Sequence, residues 1–216
     1  IIIIRRVKRI NNMITLYHSA GTRSMRCVWL LEELGLDYEL KCVDFPPRVK
    51  APDFLAVNPL GSLPFLIDGD VKMNESCAIL QYLSAKYGDG ELELGAADDH
   101  FADYLNWLYF GECSLAMLQS IVLRYRFFLP KDQRQPAVAQ DYQVMVDERL
   151  AVLSQALSDH TNDYLCGKRF SLADISVGYA LVLMSHFKLD QGFSSELRAY
   201  LNRLSSRPAF QRATTK

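Results

Sequence analysis

Hydrophobic and polar positions along the chain change their period near residue 90. Before that point short alternating runs take turns with helical ones. "ITLYH", Ile14 to His18, alternates as a half-buried strand does. "SMRCVWLLEELGL" places Val28, Leu30, Leu31 and Leu34 at helical spacing and stops at Gly35, a residue that enters the left-handed turn closing a helix. "YELKCVDF" alternates again from Tyr38 to Phe45. "PDFLAV" is at most a helical turn. "PFLI" and "VKM" are short strands joined by Asp68-Gly69-Asp70, a hairpin signal. "ESCAILQYLSAKYG" is a helix with Ile79, Leu80, Tyr82 and Leu83 inward and Gly88 at its end. Residues 13–88 therefore read β-α-β-α-β-β-α. That order implies one small sheet, a parallel βαβ unit first and a hairpin second.

A polar, glycine-bearing linker occupies residues 89–96, and everything from 97 to 216 is helical by period. One long helix is expected from about Ala97 to Arg126, another over Val138 to Ser158, a third over Leu172 to Phe187, and shorter ones from Ser195 onward. Ser171 followed by Asp174 forms a capping box that starts the third. A cap explains Asp174 better than catalysis does. The fold class is an α/β N-terminal domain followed by an all-α C-terminal domain.

Composition changes this picture little. Half of the 216 residues are hydrophobic and the formal charge is −1, so nucleic acid and anionic membrane are not the expected partners. No stretch approaches the ~20 apolar residues of a membrane span. Residues 1–12, "IIIIRRVKRINN", have the reverse order of a secretory signal and read as an upstream extension before Met13. The five cysteines are odd in number, form no CxxC and have apolar neighbours. They read as reduced, mostly buried side chains of a cytoplasmic protein. The four histidines make no ligand pair with each other or with cysteine, so no metal is expected.

The candidate chemistry lies at element junctions. The first strand runs into the first helix through "HSAGTRSMR", where Gly21 permits a tight turn and Thr22 or Ser24 offers a hydroxyl. A helix start carries unpaired N–H groups and partial positive charge, so a hydroxyl there stands ready to stabilise an anion. Pro64 begins the third strand. If its bond to Leu63 is cis, the backbone N–H and C=O of Leu63 turn outward, where an extended peptide can pair with them. Glu75 and Ser76 open the next helix and offer an acceptor for an ammonium and donors for a carboxylate. A peptide with a thiol in its middle and an α-amino acid at one end fits all three junctions. Glutathione is such a peptide. His18 and Cys77 do not read as a catalytic dyad. Cys77 reads as packed against the sheet.

"LYHSAGTRSMRCVWLLEELGLDYEL", "NPLGSLPFLIDGDVKMNESCAILQYLSAKYG" and "GKRFSLADISVGYALV" together resemble the cytosolic glutathione transferases, in the right order and over nearly the whole chain from Met13. The style is closest to bacterial members of the Ser/Thr type, similar to the delta and theta classes. The resemblance implies a thioredoxin-like first domain, a homodimer, and glutathione as substrate. It implies no metal. It matches Leu63 and Pro64 to the backbone-pairing residue and cis-proline, and Glu75 and Ser76 to the pair holding the γ-glutamyl end. Arg48 and Lys50 lie in the loop that often supplies a cation to the glycine carboxylate. Ser62 stands where many members carry Lys or Gln. The catalytic serine of the delta and theta classes lies four residues before the arginine of the first helix. Counting back from Arg26 gives Thr22, with Ser24 as the next candidate; Tyr17 at the end of the first strand is similar to the catalytic tyrosine of the Tyr-type classes, but its spacing to Arg26 does not match theirs. Arg23 occupies the position of the beta-class cysteine, so that nucleophile is absent.

The implied activity is thiolate activation of glutathione for attack on a small hydrophobic electrophile. Alternatives are glutathione-dependent peroxidase or disulfide reductase chemistry, and a non-catalytic binding protein of the same fold. In "YLNWLYF", Tyr104 and Trp107 share a helical face with Gly111. They are candidates for an acceptor-substrate pocket, with core or interface packing as the competing reading.

Overall fold

The structure is a computed structural model that describes residues 13–158 and 162–216. The expected extension over residues 1–12 lies outside the described residues. The chain divides into two units: one runs to Glu91 and takes in Pro208–Lys216, and the other is Leu92–Arg207.

The first unit follows the expected order. Strands β1 (Ile14–His18), β2 (Tyr38–Cys42), β3 (Phe65–Asp68) and β4 (Val71–Met73) form one sheet in the order β2-β1-β3-β4. β1 and β2 are parallel with Leu16 opposite Leu40, while β1 and β3 are antiparallel with Leu16 opposite Leu66. Ile14, Leu16 and His18 point to one face and are buried. Helices α1 (Ser24–Leu34) and α3 (Ser76–Tyr87) pack against each other, and Cys27, Val28, Leu30, Leu31, Ile79, Leu80 and Leu83 are excluded from solvent. Each such aliphatic side chain contributes about 1.5–3 kcal/mol relative to exposure. On Tyr17, Phe54 and Phe65 a second small cluster forms, into which Ala51 and Val57 also pack.

Between β2 and β3 the chain makes a four-residue helical turn, α2 (Pro47–Lys50), and a 3₁₀ turn (Pro52–Ala56). The second is the turn expected for "PDFLAV"; the first is absent from the sequence reading. α1 ends as expected at Gly35, which is left-handed with φ 62°. The terminal helix α9 (Pro208–Ala213) belongs to this unit: Phe210 packs edge-on against Trp29 at 4.8 Å, and Arg212 Nε donates to Glu32 at 2.7 Å. Tyr82 is only half-buried, because its hydroxyl reaches Asp68.

The second unit is helical. The single helix expected over 97–126 is broken into α4 (Phe101–Tyr109), a π-helical stretch (Phe110–Ala116), α5 (Met117–Leu123) and a second π stretch (Arg124–Phe128). The first break has a cause in the packing of a neighbouring helix. Ser176 Oγ donates to the Leu108 carbonyl at 2.7 Å, and a side chain reaching into the helical ladder displaces it. Gly111 lies so close to the neighbouring helix that a Cβ there would sit 2.6 Å from the Ser176 backbone carbon. α6 (Pro136–Ala156), α7 (Leu172–His186) and α8 (Ser195–Ser205) follow. The capping box of α7 is present, with both Ser171 N–H and Ser171 Oγ donating to Asp174.

Of the five cysteines, Cys27, Cys77 and Cys166 are buried, but Cys42 and Cys113 are exposed. The apolar neighbours that suggested burial for these two lie beside them in sequence, not around them in space. Among the described residues no helix is long and apolar enough to cross a membrane.

Candidate functional site

The junction of β1 and α1 is a compact hydrogen-bonded turn. Thr22 N–H donates to the Ser19 carbonyl at 3.2 Å, and Thr22 Oγ1 donates to the same carbonyl at 2.7 Å. Thr22 Oγ1 and Ser24 Oγ are 2.7 Å apart, and Ser24 Oγ lies 2.8 Å from Nδ1 of His18. Ser19 N–H also reaches Ser24 Oγ, at 3.3 Å. All three side chains are buried: His18 is 3% exposed, Thr22 8% and Ser24 0%. Neither hydroxyl caps the helix. Arg23 is the N-cap residue and makes no side-chain cap bond, and no acidic residue lies in the first turn. The positive end of α1 therefore keeps its affinity for an anion. Burial lowers the pKa of His18 below its ordinary value.

The antiparallel register puts Phe65 opposite Tyr17, so the residues just before β3 lie beside the end of β1. Those residues are Leu63 and Pro64, and their peptide bond is cis. Leu63 N–H and C=O pair with no backbone group among the described residues, which leaves them for a ligand strand. The turn before them is built by Asn58, which is 1% exposed. Its Nδ2 donates to the Ser62 carbonyl at 2.9 Å, and its Oδ1 accepts from Leu60 N–H at 3.2 Å. Gly61 is required here. It has φ +58°, and a Cβ would lie 2.8 Å from both Arg48 Cγ and Leu55 Cδ2.

The third piece is tied to the first. Arg26, fully buried in the first turn of α1, donates from Nη1 to Ser76 Oγ at 3.1 Å. Ser76 is the first residue of α3, and Glu75 is the N-cap residue. Ser76 thus does not cap α3; its hydroxyl oxygen faces Arg26. Because that oxygen accepts from Arg26, its own hydrogen is left to donate to a carboxylate. Glu75 is exposed and makes no ion pair among the described residues, and Asn74 just before it has a buried side-chain oxygen without a partner. Two helix starts, a free backbone pair and an acidic side chain therefore meet at one end of the sheet. A cleft of about 640 Å³ opens beside the end of β1, with Tyr17, His18, Ser19, Asp44, Asp53 and Lys216 among its walls.

Other expected residues fare differently. Arg48 does not offer a free cation. Its Nη2 donates to the carbonyls of Pro59 (3.2 Å) and Leu60 (2.7 Å), pinning the Asn58 turn. Lys50 is exposed, just before Ala51, and forms no ion pair among the described residues. Tyr17 packs its ring against Phe54 at 5.1 Å and Phe65 at 6.0 Å. Tyr104 (1% exposed) and Trp107 (9%) are buried in the second unit, Trp107 edge-on to Phe110 at 5.0 Å. Both lie on the apolar helical face that the second unit buries. His18, Arg26 and Asn58 were missed as site residues. The alternation of β1 does place His18 on the buried face, but nothing local pairs Arg26 with Ser76. Among the described residues no group of three His, Cys, Asp or Glu side chains could hold a metal ion.

Known proteins share this chain's sequence pattern and fold. A family model for the glutathione S-transferase N-terminal domain matches residues 12–85, and one for the C-terminal domain matches residues 115–208. Glutathione S-transferase F10 of Arabidopsis thaliana is 30% identical over 94% of this chain and 97% of its own. The solved glutathione transferase of Methylococcus capsulatus superposes with a TM-score of 0.82 at 29% identity, covering 94% of this chain and 98% of that one. The URE2P6 glutathione transferase of Phanerochaete chrysosporium, solved in complex with oxidised glutathione, gives 0.80 at 28% identity, covering 94% and 95%. With both domain models matched and relatives spanning the chain, the protein belongs to the glutathione S-transferase family.

Proposed function

We propose that the protein is a glutathione transferase that binds glutathione across the strand and helix junctions of its first unit and presents the thiolate to a small hydrophobic electrophile. The observation that carries this reading is the buried hydroxyl of Thr22, held at the uncapped start of α1 beside the free backbone pair of Leu63. A free thiol has a pKa of about 8.5 and is only a few per cent ionised at neutral pH. A hydrogen bond from Thr22 and the helix terminus each favour the anion by about 1 kcal/mol or more. A pKa unit corresponds to about 1.4 kcal/mol, so together they make the thiolate a major species.

In this reading Leu63 pairs with the cysteinyl backbone of glutathione, and Ser76 with the α-carboxylate of the γ-glutamyl end. Glu75 takes the ammonium and Lys50 the glycine carboxylate. Thr22 is the thiolate donor, in keeping with a Ser/Thr-type enzyme of delta or theta character. Ser24 supports Thr22 from behind. Three further points rest on family resemblance: a homodimer, a role in detoxification and a bacterial source. Cysteines that form no disulfide with one another suit the reducing cytoplasm.

The test is the ultraviolet absorbance of bound glutathione thiolate against pH, wild type beside Thr22→Ala. A low apparent pKa that rises toward the free value in the variant supports the reading. Absence of bound thiolate in the wild type refutes it in favour of a non-catalytic binding protein. A low pKa unmoved by the substitution refutes the role of Thr22.

A further inference from the structure

The hydrogen bonds behind Thr22 contain more contacts than the two hydroxyls can supply with hydrogens. Three short contacts share the turn: Thr22 Oγ1 to the Ser19 carbonyl (2.7 Å), Thr22 Oγ1 to Ser24 Oγ (2.7 Å), and Ser24 Oγ to His18 Nδ1 (2.8 Å). Each needs one hydrogen. A carbonyl oxygen has none to give, and each hydroxyl has one. The Thr22 hydrogen is spent on Ser19, so the hydrogen between the hydroxyls is that of Ser24. The third must come from the histidine. The alternative, with Ser24 donating to a bare Nδ1, leaves two oxygens 2.7 Å apart with no hydrogen between them. A longer contact from Ser24 Oγ to the Ser19 carbonyl, 3.3 Å, does not compete with these.

The geometry points to His18 as a positioning residue: a neutral imidazole with its hydrogen on Nδ1 that fixes the direction of the Ser24 and Thr22 hydroxyls and so aims the Thr22 hydrogen outward, at the thiol sulfur. This inference rests on the glutathione reading above. Ser24 Oγ then accepts from His18 and from Ser19 N–H and donates to Thr22, which fills both its lone pairs. With one hydrogen already received from Ser24, Thr22 Oγ1 cannot turn its own hydrogen inward. In the free protein that hydrogen rests on the Ser19 carbonyl; a bound thiolate, being charged, is the stronger acceptor and takes its place, and Thr22 Oγ1 and the Ser19 oxygen, no longer bridged by a hydrogen, then move apart. A chain of bonds running one way also strengthens its last member. Remove the imidazole donor and the Ser24 hydrogen loses its preference for Thr22. The Thr22 hydrogen can then turn to Ser24 and away from sulfur. His18 touches neither substrate nor sulfur in this arrangement.

The first experiment needs no ligand. The full chain, labelled with ¹⁵N in histidine, is examined by long-range ¹H–¹⁵N correlation, with His18 assigned by its loss in His18→Phe. Protonated Nδ1 and bare Nε2 are expected; bare Nδ1 overturns the inference. The second is the thiolate titration in His18→Phe and His18→Asn. Phenylalanine fills the space without a donor, and the apparent thiolate pKa should rise by about one unit, a tenfold loss of thiolate at a given lower pH. Asparagine carries an amide nitrogen near the Nδ1 position and should restore most of that shift. An unmoved pKa in His18→Phe, or an asparagine variant that behaves like phenylalanine, overturns the inference. If wild type forms no thiolate, the glutathione reading fails instead, and the tautomer spectrum still decides the hydrogen count.

Discussion

Replacing Ser76 by alanine separates two jobs that the structure gives to one hydroxyl. Its oxygen accepts from the fully buried guanidinium of Arg26 at 3.1 Å, and its hydrogen is free for a carboxylate. The alanine variant leaves a buried charged donor without this acceptor. Hydrogen bonds to charged groups contribute about 1.5–3 kcal/mol, and a chain of this size loses roughly 2–4 °C of Tm per kcal/mol. The expected fall in Tm is therefore about 3–12 °C by calorimetry or thermal fluorescence. Loss of the second bond weakens glutathione by a similar energy, which is roughly 10- to 150-fold in Kd or KM. At saturating glutathione kcat should stay within about twofold, because the reacting sulfur is held elsewhere. Ser76→Thr, which keeps the hydroxyl, should recover most of the affinity. A Ser76→Ala protein with lowered Tm and unchanged KM refutes the carboxylate role. One unchanged in both refutes the buried bond to Arg26 as well.

Lys50→Ala should raise the glutathione KM severalfold and weaken its dependence on salt, with Tm unchanged, as a screened surface charge behaves. Arg48→Ala should do the opposite: about 1–3 kcal/mol lost from the carbonyl-pinned turn in a denaturant titration, and the salt dependence kept. Equal KM effects from both would show the assignment of the two cations to be wrong. Gly111→Ala should destabilise the second unit by about 1–3 kcal/mol, because its Cβ meets the Ser176 backbone and the helices must part; an unchanged unfolding midpoint would contradict this packing. Asp68 has its pKa lowered: burial alone would raise it, but hydrogen bonds from Lys86, Tyr87 and Tyr82 outweigh that. A depressed carboxyl stabilises the fold above its unfolded pKa of about 3.9, and that contribution is lost as pH falls through the folded value. Asp68→Asn should flatten this acid limb of stability against pH, and an unaltered limb would count against the cluster.

The sequence carried the first unit almost whole, because its elements are specified locally. Alternation sets the strands, Gly35 stops the first helix, and the Asp-Gly-Asp turn makes the hairpin. The order of elements then leaves one economical sheet. The junction residues were legible for the same reason: Thr22, Leu63, Glu75 and Ser76 lie where strands and helices meet, and those boundaries are written in the pattern. The breaks in the long helix were not legible. The first arises where Ser176 and Gly111 meet, residues 65 positions apart that come together only when two helices pack.

What the sequence by itself determined is the chemistry on offer: a hydroxyl at a helix start, a proline-flanked backbone pair, and an acidic residue with a serine at a second helix start. Tertiary structure alone decided how each group is used. Arg48 is consumed by the carbonyls of a turn and Lys50 forms no ion pair among the described residues, although the two stand only two positions apart in the same loop. Arg26 turns inward to orient Ser76, and His18 stands behind Ser24. A hydrogen bond depends on distances of a few tenths of an ångström between groups whose separation in sequence carries no such information. Burial then fixes what those bonds are worth, because a group cut off from water must take its partner from the fold.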